Sequence, residues 1–278
     1  MTAITSPHNH RLQELRRLQR RRERTRSGHF LAEGEDLLAA AADAGWTPVE
    51  GYRVAGSELG EPGFLDVEPA ALAAVSTLGS GARAIGVYEQ RWSPRPQGPL
   101  CIYLHALSDP GNVGAVLRAA HAFGASCVAL GPRCADPFSP KAVRASMGAI
   151  FHVALARAGS IAELPTERVA LVPDPSPPAQ PLRGPAQGPI TLLVGAEREG
   201  LPAEVVAACE RVVCIPIAGD SLNAAMAATI ALYEMTKGLR APGLSSPPRA
   251  GWPKRGPIGE TLAVLRSAPA LPNKVPPS

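Results

Sequence analysis

The feature that most constrains the fold is a regular alternation of short apolar runs with helical patterns, which begins at Leu100 and continues to Leu239. The apolar runs predict strands at residues 100–107, 127–130, 169–172, 190–195 and 212–217. Between them, helices are predicted at residues 114–123, 141–150, 202–210 and 222–239. Continuous apolar strands that alternate with helices are typical of a parallel sheet covered on both faces. We therefore expect an α/β domain over residues 100–241.

The chain before this domain has a different pattern. A basic helix is predicted at 11–24, a second helix at 35–44, and strands at 30–34, 49–54 and 84–88. We assign residues 1–92 to a small α/β domain and the proline-containing residues 93–99 to a linker. Residues 242–278 hold nine prolines in 37 residues and predict an extended or disordered tail.

Composition excludes several classes of protein. The chain is 45% hydrophobic and 19% charged, as in globular proteins, and we found no apolar segment long enough to span a bilayer. The first residues lack the apolar core of a secretory signal, so we expect a cytoplasmic protein. The five cysteines form no C-x-x-C pair and have no histidines at zinc-ligand spacing, so we expect no metal site.

Positive charge is concentrated near the N-terminus. Eight arginines and two glutamates lie between Arg11 and Arg26, whereas the formal charge of the whole chain is only +4. Such a block of charge is typical of a surface that contacts a polyanion. The simpler alternative is a solvated helix face with no partner. The candidate RNA-binding residues are Arg11, Arg16, Arg17, Arg20, Arg21 and Arg24, together with Lys141 and Arg144 from a later helix.

Three segments of the larger domain combine glycines with polar residues at the expected ends of strands, where α/β sheets bind ligands. The first contains Asn112 and Arg118, six residues apart in a strand-to-helix connection. The second is Gly-Ala-Glu-Arg-Glu-Gly, which begins at Gly195 and contains Glu197. The third runs from Ile215-Pro216-Ile217 to Ser221-Leu222-Asn223, just before an alanine-rich helix. Each of these polar residues also has a purely structural explanation as a surface or capping residue.

In this order, the three segments resemble the SpoU (TrmH-like) branch of the SPOUT RNA 2′-O-ribose methyltransferases. The family's asparagine and arginine pair is similar to Asn112 and Arg118, and its Gly-x-Glu-x-x-Gly segment to Gly195, Glu197 and Gly200. Its Ile-Pro-Met and Ser-Leu-Asn segments are similar to residues 215–217 and 221–223. The resemblance covers residues 100–239, and the N-terminal domain is more loosely similar to the substrate-binding domain of many members.

The resemblance implies a knotted parallel sheet with a deep trefoil knot, preceded by a small α/β substrate-binding domain. It implies S-adenosylmethionine as cofactor, with contacts at Gly195, Ile215 and Leu222. It also implies a homodimer formed through the catalytic domain, with the active site near the subunit interface. This chain has only Asp220 between Gly219 and Ser221, a shorter loop than relatives usually carry.

The resemblance assigns the catalytic role to Arg118, with Asn112, Glu197, Ser221 and Asn223 holding Arg118 and the ribose by hydrogen bonds. Arginine deprotonates too reluctantly to act as a base. We therefore expect Arg118 to orient the ribose hydroxyl and to stabilise negative charge.

Two other functions are compatible with parts of the sequence. In one, the chain binds RNA through its basic N-terminal segment and carries a vestigial methyltransferase domain without activity. In the other, it is a Rossmann-type enzyme, which would need a glycine fingerprint that is absent here. Because a substrate-binding domain precedes the catalytic one, we favour ribosomal RNA over transfer RNA as the substrate.

Overall fold

The N-terminal part of the chain forms a four-stranded sheet with short helices. The computed structural model describes residues 3–60, 63–79, 81–173, 179–219 and 221–238. In the described residues the sheet has the order β1-β4-β2-β3, with β4 antiparallel to both of its neighbours. Its strands are β1 (His29–Glu33), β2 (Glu50–Val54), β3 (Leu65–Val67) and β4 (Ala84–Glu89), and its helices are α1 (His10–Leu18), α2 (Arg21–Ser27), α3 (Glu35–Asp43) and α4 (Pro69–Ala73).

The second sheet is parallel throughout, as predicted. Over the described residues it has seven strands in the order β7-β6-β5-β10-β8-β11-β9. Its strands are β5 (Leu100–Leu104), β6 (Cys127–Leu130), β7 (Ala154–Arg157), β8 (Glu167–Val172), β9 (Gln180–Pro181), β10 (Ile190–Val194) and β11 (Arg211–Cys214). The main helices are α5 (Pro110–Ala122), α6 (Pro140–Ser146), α7 (Ala203–Ala207) and α8 (Ala224–Thr236). All residues of β6 and β10 are buried, which explains their uninterrupted apolar sequence.

Several elements differ from the sequence-based expectation. Strands β3, β7 and β9 and helix α4 were not predicted, because each is short and lacks a long apolar run. Helix α5 begins at Pro110 rather than Gly114, since the Asp109 carboxylate accepts the Gly111 and Asn112 amides and Pro110 occupies the first turn. Asn112 therefore lies in the first turn of the helix and not in a loop.

The predicted basic helix over residues 11–24 is two helices with a break between them. Arg20 is extended at the break, and the chain turns before α2. The guanidinium group of Arg24 thereby faces inward, where it donates to the Leu18 carbonyl and, through two nitrogens, to the Asp136 carboxylate at 2.7 and 2.9 Å. Arg24 is only 3% exposed. Its assignment as an RNA-binding residue was wrong, because the buried guanidinium group of Arg24 links the N-terminal domain to Asp136 of the second domain.

The two domains share one apolar core, and a group of aromatic rings lies where they meet. Phe30 of β1 packs against Phe138 and Phe151 of the second domain, with ring centroids 4.8 and 6.0 Å apart. The Trp46 indole donates to the Phe151 carbonyl at 2.8 Å. Ser93, in the predicted linker, forms a parallel bridge with Ala156 on β7. These contacts fix the N-terminal domain against one edge of the parallel sheet.

Some predictions concern residues outside the described ranges. The proline-rich tail at 242–278 is one, and Asp220 in the shortened loop is another. Across the ranges that the structure does describe, no helix is both long and apolar enough to span a membrane.

Candidate active site

The three sequence segments meet at the carboxyl edge of the parallel sheet. β5 and β10 are neighbours in the sheet, and the connections after them carry Asn112 and Glu197. The connection after β11 carries Asn223, which begins α8. Because parallel strands end at one edge, connections that are far apart in sequence converge there.

Hydrogen bonds join three of the predicted catalytic residues into one chain. The Asn112 side-chain amide donates to the Glu197 carboxylate at 2.7 Å. The Asn223 amide donates to the Asn112 side-chain oxygen at 3.1 Å. The Asn223 side-chain oxygen in turn accepts the Ala225 and Met226 amides. Asn223 is therefore the N-cap of α8.

A fourth polar group stands beside this chain. The Asp109 carboxylate forms an ion pair with Lys141 at 2.9 Å and caps α5. The Lys141 ammonium and the two capping amides lower the pKa of Asp109 below its usual value. The sequence analysis gave Asp109 no role, although an aspartate just before a proline and a helical pattern is a recognisable N-cap signal. The sequence analysis also predicted that Lys141 binds RNA. In the structure, the ion pair with Asp109 partly neutralises the charge of the Lys141 ammonium group.

Arg118 is exposed on α5 and does not take part in the hydrogen-bonded chain. Six residues separate it from Asn112, which is about 9 Å along the axis and about 120° around it. Within the described residues, its side chain has no hydrogen bond or ion pair that the structure records. Thus Arg118 is not hydrogen-bonded or ion-paired to Glu197 or Asn223 within one chain.

The glycine at the end of β10 makes a tight turn. Ala196 and Gly200 exchange two backbone hydrogen bonds, at 3.0 and 3.2 Å. A Cβ atom at Gly195 would lie 2.2 Å from the carbonyl carbon of Gly200, so only glycine fits. The turn brings the backbone of residues 195–200 next to the third segment.

This turn forms one wall of an apolar cleft. The cleft has a volume of about 110 Å³ and is lined by all three predicted cofactor-binding residues, Gly195, Ile215 and Leu222, and by Ser221. Past Glu197 it adjoins a wider cleft of about 590 Å³, which Asp109 and Asn112 line. Ser221 is exposed at the cleft and does not join the hydrogen-bonded chain.

The chemistry of the narrow cleft fits an S-adenosylmethionine molecule. Its wall offers apolar side chains for a flat base and lies along loop backbone, whose carbonyls and amides suit polar edges. Gly195 permits close approach of the backbone because no side chain stands there. The narrow cleft adjoins the wider cleft, whose lining includes the polar side chains of Asp109, Asn112 and Glu197.

The predicted RNA-binding residues differ in their availability. Arg17, Arg20, Arg21 and Arg144 are exposed. Arg11 is paired with Glu50 at 2.7 Å. Arg16 donates to the Ala74 carbonyl at 2.9 Å, which holds its side chain along α4.

The described residues contain no cluster of three or more histidine, cysteine, aspartate or glutamate side chains that could hold a metal ion.

Comparison with known proteins identifies the family. Residues 99–233 match the model of the SpoU rRNA Methylase family, and residues 9–78 match an MRM3-like substrate binding domain. The chain belongs to the SpoU family of RNA methyltransferases. It is 31% identical over 258 residues to an uncharacterized tRNA/rRNA methyltransferase of Synechocystis sp., covering 84% of this chain and 93% of that one.

Two further relatives carry more specific names. A 23S rRNA (uridine(2479)-2′-O)-methyltransferase of Streptomyces viridochromogenes is 30% identical, covering 78% of this chain and 85% of the relative. The AdoMet-bound rRNA methyltransferase from Sinorhizobium meliloti superposes with a TM-score of 0.75 at 31% identity, covering 86% of this chain and 98% of that structure. The predicted family, enzyme class and S-adenosylmethionine cofactor are confirmed.

Proposed function

We propose that this enzyme methylates a ribose 2′-hydroxyl in ribosomal RNA, with the donor in the apolar cleft and the ribose in the wider one. The observation that carries the proposal is the hydrogen-bonded chain Glu197–Asn112–Asn223, which lies where the two clefts meet. The relatives named for their substrates, from Streptomyces viridochromogenes and Sinorhizobium meliloti, are rRNA methyltransferases, which supports ribosomal RNA.

Positioning supplies much of the acceleration in such a transfer. When bound, S-adenosylmethionine supplies an electrophilic methyl group on a positively charged sulfur. The 2′-oxygen forms the new bond to that carbon as the carbon–sulfur bond breaks, and the hydroxyl proton leaves to water. Both the nitrogen and the oxygen of the Asn112 side-chain amide are hydrogen-bonded, so this side chain presents a rigid edge to the ribose. The guanidinium of Arg118 stabilises the negative charge that develops on the oxygen.

Because Arg118 is exposed and makes no hydrogen bond or ion pair with its own chain's described residues, we place it in the site of a second copy. Three apolar side chains on α8, Met226, Ile230 and Tyr233, are exposed at helical spacing, the first by 62%. Exposed apolar stripes of this kind mark association surfaces. Helices α5 and α8 pack together, so a dimer formed on α8 also brings Arg118 to the interface.

The trefoil knot is part of the same proposal. The knot is supported by a contact between the segment before β10 and the C-terminal end of α8. In this contact, the Ala186 amide donates to the Met235 carbonyl at 2.9 Å. At Gly184 an added Cβ would lie 1.8 Å from the Glu234 carbonyl oxygen, so α8 passes directly against this segment. A knot of this kind holds the third segment beside the second.

The proposal is tested by titration calorimetry with S-adenosylmethionine, followed by mapping of 2′-O-methyl groups in ribosomal RNA from cells that lack the protein. We expect binding of one cofactor per chain and the loss of a 2′-O-methyl mark that returns with the wild-type gene. RNA binding without cofactor binding, and no lost mark, would favour the non-catalytic RNA-binding alternative.

A further inference from the structure

A third cleft lies between the N-terminal domain and the parallel sheet. It has a volume of about 490 Å³. The side chains that define it come from α2, from the segment after β4 and from the ends of β6 and β7: Arg21, Trp92, Arg133, Asp136 and Arg157. The sequence-based candidates include only Arg21 from this group.

The charge of this cleft is strongly positive. Arg21, Arg133 and Arg157 are exposed, and in the described ranges none of their side chains has an ion pair or hydrogen bond. Asp136 is the acidic residue of the lining, and both contacts of Arg24 already occupy its carboxylate. Three arginines without an ion pair therefore line one cleft, with no free carboxylate in its lining to balance their charge.

Arg133 links this cleft to the active site. It also lines the wider cleft that contains Asn112 and Glu197. The backbone of Arg133 has φ +61°, a left-handed conformation that is uncommon for residues other than glycine. The pKa of His105, at the end of β5, is lowered first by burial and then by the charge of Arg133, so the positive potential reaches the carboxyl edge.

Arg157 is held in place before any ligand arrives. Its guanidinium carbon lies 4.4 Å from the centroid of the Trp92 ring. The other contacts of Trp92 include an edge-to-face packing with Phe138 at 5.3 Å. An arginine already stacked on an aromatic ring loses less conformational entropy when it binds an anion.

We propose that the interdomain cleft binds backbone phosphates of the RNA segment next to the methylated nucleotide. Arginine suits this role because its planar fork engages two phosphate oxygens. The RNA then runs from the wider cleft, past Arg133, to Arg157 and Arg21. This inference rests on the proposed function and adds the path of the substrate and the residues that set its affinity.

The test compares full-length wild type with Arg133→Gly, Arg157→Gln and the double variant. Glycine is chosen at 133 because it accepts the positive φ, so that the side chain is removed without new backbone strain. Arg83→Gln is the matched control, since Arg83 is an exposed arginine of the same domain as Arg21 outside the cleft. The substrate is ribosomal RNA from cells that lack the enzyme.

We expect the double variant to raise KM for RNA about tenfold and to reduce the salt dependence of RNA binding by about 0.7 per lost phosphate contact. In the single variant Arg157→Gln, whose residue lies outside the active-site cleft, KM rises while kcat at saturating RNA, the affinity for S-adenosylmethionine and the melting temperature stay at the wild-type values. Arg83→Gln leaves KM unchanged.

An unchanged KM and salt slope in the double variant, with active wild type, would overturn the RNA path and leave the proposed function intact. A fall in kcat with unchanged KM would also overturn it, because the arginines would then act on chemistry and not on binding. If wild type itself transfers no methyl group, the proposed function fails and this inference fails with it.

Discussion

The basic N-terminal segment and helix α5 of the catalytic domain each carry an arginine, and the surroundings of these two arginines are opposite. Arg24 is almost fully buried and is paired with Asp136, whereas Arg118 is exposed and has no recorded partner among the described residues. A buried, paired arginine fixes structure, and an exposed, unpaired one keeps its charge for a ligand or a second subunit. The comparison teaches that the density of arginine in a sequence does not say which of them meet RNA.

Replacing the exposed arginine should have the largest effect. Arg118→Ala should lower kcat by a factor of about 100 to 1,000, because the developing negative charge loses its stabilising group. Its affinity for S-adenosylmethionine and its melting temperature should match wild type. Single-turnover methylation and calorimetry check this, with Arg83→Ala as control. Wild-type turnover in Arg118→Ala would remove Arg118 from the mechanism.

Replacing the buried arginine should act on folding instead. Arg24→Leu leaves Asp136 without its partner between the domains, and breaking a buried pair costs about 3–5 kcal/mol. Urea unfolding measures the loss, and kcat at low temperature should remain near wild type. The double change Arg24→Leu with Asp136→Leu should recover part of the stability. A stable single variant with weaker RNA binding would contradict the structural role.

The exposed arginines of the N-terminal segment should affect RNA binding modestly. Arg17→Gln combined with Arg20→Gln should weaken RNA binding a few-fold, because two contacts with backbone phosphates are lost. Each lost contact should also lower the slope of log K against log salt concentration by about 0.7. Binding at two salt concentrations measures this, and Arg11→Gln, whose partner is Glu50, should change it less. If Arg11→Gln has the larger effect, exposure does not predict RNA contact in this segment.

The smallest expected effect concerns pH. His121 at the end of α5 stacks on His152 with centroids 4.5 Å apart, and burial together with the neighbouring ring lowers the pKa of His121. Because the unfolded chain then binds the proton more readily, this residue contributes stability above its ordinary pKa of 6.5 that is lost as pH falls below it. Melting temperatures from pH 7.5 to 5 should fall less in His121→Gln than in wild type. Parallel curves would exclude a contribution from this pair.

Parts of the fold and site followed directly from the sequence, and the reasons differ from residue to residue. Strand β6 has a continuous apolar run, and its bounds were predicted correctly. The predicted strands at 100–107 and 212–217 each run three residues past the observed ends of β5 and β11, because apolar residues continue into the connections that follow. The meeting of Asn112, Glu197 and Asn223 was predicted by family resemblance, and the structure brings them together. Local patterns miss what depends on distant partners: the burial of Arg24 requires Asp136, 112 residues away. The same holds for Arg133, whose position between two clefts depends on both domains.

The central claim is that one edge of the sheet holds both a methyl donor and an RNA ribose. Its most direct test incubates the purified enzyme with methyl-deuterated S-adenosylmethionine and ribosomal RNA from cells that lack the gene, followed by mass spectrometry of the nucleosides. We predict deuterated methyl groups on the ribose of a single nucleotide, and their loss in Asn112→Ala. Label on a base, or no label in RNA while S-adenosylmethionine binds the enzyme, would contradict the account.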